Sequence, residues 1–183
     1  MIWTLTVAIV LVLVLWGFYV SWRATRLDRL HNRVESARTA LDLALVRRSS
    51  EAYELVSSGV LDPATSLLLT DAVRRAKEAK PDERDLAESD LTRALRAAFG
   101  QPEFRPSLAA EGGAGGGAAE LVAEVEAAAH QVYLARKFYN DVAGRTLDAR
   151  RRPLARVFRL AGNAPAPEFF EMDDALAETD TRA

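Results

Sequence analysis

The chain has 183 residues, 49% of them hydrophobic, with 24 basic and 26 acidic side chains. That length holds one domain with appendages. The absence of cysteine excludes a disulfide framework, thiolate metal sites and a thiol nucleophile, and a net charge of −2 is too near zero to argue for a general attraction to nucleic acid.

Residues 1–22 carry no charged side chain. As a helix they would reach ~33 Å, enough to cross a hydrocarbon core of ~30 Å. Trp3 stands near one end and Trp16, Tyr19 and Trp22 near the other, as amphipathic rings do at membrane interfaces. No Lys or Arg precedes the run, and bulky residues occupy the place of a small-x-small cleavage site, so the segment reads as an uncleaved anchor. Arg23, Arg26, Arg29 and Arg33 follow it with Asp28 alone opposing them, which places the rest of the chain in the cytoplasm.

Apolar residues then recur at Leu27, Leu30, Val34, Ala37, Leu41, Ala44/Leu45, Ala52 and Leu55. Steps of three and four are the seam of an amphipathic helix, so the anchor continues unbroken to about Ser57, with Gly59 as its stop. Asp62-Pro63 supplies the cap and first position of a second helix, which ends at Lys80-Pro81. A third helix opens near Asp82 or Asp85, the latter at capping-box spacing from Glu88, and closes at Gly100. Residues 101–117 form a Pro- and Gly-rich flexible loop. It lacks the Gly-Lys-Ser/Thr of a phosphate loop.

The fourth helix, from about Ala118 to Leu147, has a heptad seam at Leu121, Val125, Ala128, Val132, Ala135, Tyr139 and Val142. Pro153–Ala161 reads as a short terminal helix, and 163–183 as an acidic disordered tail with a marginal helical turn around Asp173–Ala177. The expected architecture is all-α. An N-terminal transmembrane helix (1–22) continues into an antiparallel bundle (23–162) of two long and two short helices.

Charge is unevenly distributed: net +3 over 23–80, −6 over 81–135, +6 over 136–160 and −5 over 161–183. If the fourth helix returns toward the membrane, Arg150, Arg151, Arg152, Arg156 and Arg159 join Arg23, Arg26 and Arg29 at the headgroups. Each basic residue there is worth about 1 kcal/mol on an anionic leaflet. The bland counterpart is that these arginines only satisfy a helix terminus.

Nothing in the spacing supports a catalytic, metal or cofactor site. His31/Glu35 and Glu126/His130 are i,i+4 pairs, not the i,i+3 Glu-x-x-His of a bundle metal centre, and His130 falls on the outer face of the heptad. Arg47-Arg48 reads as solvated or partner-facing, and no aromatic platform accompanies the basic runs to support nucleic-acid binding.

Two stretches resemble the LemA family of bacterial membrane-anchored helical proteins. The first contains Asn32-Arg33-Val34, Ala37, Leu41-Asp42, Leu45, Arg47-Arg48 and Tyr53-Glu54-Leu55. The second is Ala135-Arg136-Lys137-Phe138-Tyr139-Asn140-Asp141, and Ala164-Pro165-Ala166-Pro167-Glu168-Phe169-Phe170-Glu171 is similar to the family's tail. The resemblance implies a single-pass protein with a short outer N-terminus and a cytoplasmic bundle, and implies no reaction. The expected role is a non-enzymatic interaction or scaffold module with a protein partner or a second copy, no small-molecule substrate being evident. The alternative is a protein that binds anionic lipid through Arg150–Arg159.

Overall fold

The computed structural model describes residues 2–102, 104, 106, 117–153, 157 and 165–174, with the backbone alone at 2, 20, 23, 24 and 26–28. The described elements are four α-helices: α1 (Ile2–Ser57), α2 (Pro63–Glu78), α3 (Arg84–Phe99) and α4 (Gly117–Arg151). No strand occurs among the described residues. The expected all-α architecture with two long and two short helices is therefore observed. Among the described residues, no helix is long and apolar enough to cross a membrane.

The chain divides into two compact units, Met1–Arg38 with Tyr139–Phe169 and Thr39–Phe138 with Phe170–Ala183. Cross-helix pairs give the direction of each helix in the second unit. Asp42 pairs with Arg84 and Arg48 with Glu88, so α1 and α3 run parallel. Thr65 meets Gln101 while Arg75 meets Asp90, so α2 opposes α3. Arg47 meets Gln131 while Glu54 lies near Glu124, so α4 opposes α1. The result is a four-helix bundle. Its core includes Leu55, Leu69, Leu91, Leu95 and Val125, each fully withdrawn from water. Fully burying one such side chain is worth roughly 1.5–3 kcal/mol.

Local signals set most helix ends. Gly59 takes a φ of 74° just past α1, a left-handed conformation that an L side chain resists. The Asp62 carboxylate accepts from the amides of Ala64 and Thr65 at 3.0 and 3.1 Å, with Pro63 at the first helical position. The start of α3 departs from expectation. Its cap is Glu83, which makes no side-chain capping bond. Asp85 and Glu88 are unavailable for a capping box because each is engaged elsewhere, Asp85 by a tail amide and Glu88 by Arg48.

Three further expectations need correction. Residues 165–174 do not form a disordered tail or, at Asp173 and Asp174, a helical turn. They take no helical form, and Phe170 is buried. The start of the 101–117 loop is likewise packed, with Phe104 buried and stacked on Phe99 at 5.2 Å between ring centres. His130 is half-buried rather than outward, and its Nδ1 has no hydrogen-bond partner among the described residues. Of the expected terminal helix 153–161, only Pro153 and Val157 are described, both helical.

Candidate functional site

Arg48 occupies a seam position of α1, between Leu45 and Ala52, and is 1% exposed. The expectation of a solvated or partner-facing Arg48 is thus overturned: its position on the helix turns it inward regardless of its charge. Its Nη2 donates to Glu88 Oε2 at 2.6 Å and to the Glu88 carbonyl at 3.1 Å, while Nη1 donates to Thr92 Oγ1 at 2.7 Å. Among the described residues, Nε has no hydrogen-bond partner. Burial pulls the guanidinium below its ordinary value, against the raising effect of Glu88. The same burial pushes the Glu88 carboxyl up, and Arg48 opposes it. Such a buried ion pair ties α1 to α3 at this level.

Around this pair the motif residues part company. Arg47 is exposed and reaches Glu51 and Gln131, each at 3.3 Å. Asp42 lies 3.1 Å from Arg84. Asn32 and Phe138 are exposed and Asn140 is half-buried. In the other unit Tyr139 is buried, as its seam position predicts, and its hydroxyl donates to the Glu168 carbonyl at 2.7 Å. The Arg38 guanidinium lies 5.6 Å from the same ring's centre. Of the basic residues expected at the headgroups, Arg29, Arg151 and Arg152 are exposed, and Arg150 donates to the Pro165 carbonyl at 2.8 Å. The side chains of Arg23 and Arg26, and Arg156 and Arg159 entirely, lie outside the described residues.

Two groupings were hidden from sequence reasoning because they join distant segments. The carboxylates of Glu51, Glu54 and Glu124 converge within 4.8 Å, with Arg47 beside Glu51 offsetting part of their charge. The second gathers residues 170–174 against side chains of α3 and α4. There the amides of Glu171 and Asp173 donate to Asp85 Oδ2 and Ser89 Oγ, both at 3.0 Å. Phe170 and Met172 are buried, Asp173 lies 3.5 Å from Arg96, and Arg136 donates to Asp174 through both Nε and Nη2. The sequence held only one hint of it, two aromatics inside an acidic tail. No family, curated protein or solved structure matches this chain.

Proposed function

We propose that the protein is a single-pass, membrane-tethered interaction module whose helical bundle presents binding surface at the cytoplasmic face without catalysing a reaction. The observation that carries this reading is the apolar surface of the first part of α1. From Trp3 to Trp22 the described side chains are exposed and none is charged, with Val10, Leu11, Val12 and Leu13 all more than half exposed. Apolar patches of that extent on a protein mark an interaction or membrane surface. The basic residues that follow support a cytoplasmic bundle, and the resemblance to the LemA family supports the same arrangement. Exposed Leu43, Val46 and Tyr53 lie at steps of three and seven along one face of α1, a stripe suited to a partner helix.

The test is membrane fractionation with alkaline extraction. The native chain should stay with the bilayer, and Leu11→Arg/Leu13→Arg should move it to the extract. Protease added outside intact cells should leave residues 23–183 uncut. A native chain that is freely extracted, or a bundle digested from outside, would overturn the reading.

A further inference from the structure

Arg38 and Tyr139 set the level of α4 against α1 within one compact unit, Met1–Arg38 with Tyr139–Phe169. Arg47 meets Gln131 and Arg38 meets Tyr139, so a climb along α4 beyond Tyr139 matches a climb back along α1 from Arg38. At ~1.5 Å per residue the climb from Tyr139 to Arg152 is ~20 Å, and an equal climb from Arg38 reaches Thr25. Thr25 stands just past Trp22, the end of the uncharged run. The end of α4 thus carries Arg151 and Arg152 to the level at which the apolar part of α1 gives out, with Arg29 one turn below Thr25. All three arginines are exposed, and none forms an ion pair with a described residue. Asp148 is the one acid in the last turn of α4, and Arg150 there donates to the Pro165 carbonyl at 2.8 Å. A role confined to the dipole of α4 would need no common level with α1.

We propose that Arg151 and Arg152, with Arg29, form a second foothold on the membrane, one that binds the phosphate headgroups of anionic lipid. The inference rests on the membrane-tether reading and deepens it by naming the class of lipid. An uncharged apolar helix is indifferent to headgroup charge, whereas the arginines require it. Each arginine at an anionic surface adds about fivefold to binding. Because the three are exposed, salt screens their attraction and leaves the apolar anchorage untouched.

The experiment uses the full chain reconstituted in vesicles. The chain has no cysteine, so Trp22→Cys or Pro153→Cys alone accepts a single fluorophore. A nitroxide on the lipid headgroup quenches such a label only at the membrane surface. The Trp22 label should be quenched equally in phosphatidylcholine and in mixed phosphatidylglycerol vesicles. The Pro153 label should be quenched at least about fivefold more in the anionic vesicles, and high salt should remove the difference. Arg151→Glu/Arg152→Glu should remove it as well, while Arg151→Lys/Arg152→Lys should keep it, with circular dichroism unchanged in both. If the Trp22 label is quenched but the Pro153 label ignores lipid charge or the charge reversal, the foothold alone is overturned. A Trp22 label untouched in either vesicle overturns the tether reading and the foothold with it.

Discussion

The Arg48 guanidinium lies 2.6 Å from the Glu88 carboxylate, and each side chain keeps only 2% of its surface in contact with solvent. A charge removed from water this fully depends on its partner. Replacing one member strands the other, whereas replacing both with apolar groups of similar size removes the desolvation cost as well.

Arg48→Met and Glu88→Leu alone should each destabilise the bundle by about 3–5 kcal/mol, and the double variant should recover most of that loss. Urea denaturation followed by circular dichroism reads all three. Burial raises the Glu88 carboxyl, so the folded chain binds that proton more readily: the stability linked to it is complete below the ordinary Glu value and is lost as pH rises through the raised one. The double variant should therefore compare best with the native chain near neutral pH. Single variants as stable as the native chain would show that the pair does not hold α1 to α3.

Tyr139→Phe deletes the hydroxyl bond to the Glu168 carbonyl and leaves the ring beneath Arg38. The expected loss is about 1 kcal/mol, the net worth of a typical intramolecular hydrogen bond. Hydrogen exchange should show faster opening around 165–169. Unaltered exchange there would mean that the ring's burial alone holds the segment.

Hydrogen bonds from Thr65, and from Ala64, hold the Asp62 carboxyl below its ordinary value. The Arg74 hydrogen bond does the same for Asp71. A depressed folded value means the unfolded chain binds the proton more readily. The stabilisation is thus complete above the ordinary Asp value and is lost as pH falls through the depressed one. Asp62→Ala should lower the melting temperature at pH 7, and the gap from the native chain should close in acid. A gap that persists unchanged at low pH would contradict the capping account.

Gly59 holds a φ of 74°, and open space surrounds the position a Cβ would take. Gly59→Ala should cost about 1 kcal/mol through backbone strain alone. Gly59→Asn should cost less, because Asn tolerates the left-handed region. Thermal melts of the two variants give the comparison, and equal losses would point to a contact instead.

How much of this was legible beforehand follows from the range of each interaction. The seam Leu41, Leu45, Ala52, Leu55 and the heptad of α4 are periodicities within one helix, and their residues are buried or half-buried where the pattern places them. Gly59 and Asp62-Pro63 act within a turn of their own position, and they end and start helices as read. Arg48 and Glu88 were also on their seams by spacing, between Leu45 and Ala52 and one turn before Leu91. Reading charge ahead of position hid them.

Residue order alone therefore settles the helices, their breaks and the faces that must be covered, because backbone hydrogen bonding and side-chain period are local properties. It does not settle which polar group meets which. Asp85 has a carboxylate that suits either its own helix cap or a distant amide, and only the approach of Glu171 decides between them. Phe170 and Met172 likewise gain burial only in the folded chain. Before that, the acids around them favour water, and the tail reads as unstructured. The tertiary fold resolves that competition by giving two apolar side chains a dry surface and two carboxylates an arginine each.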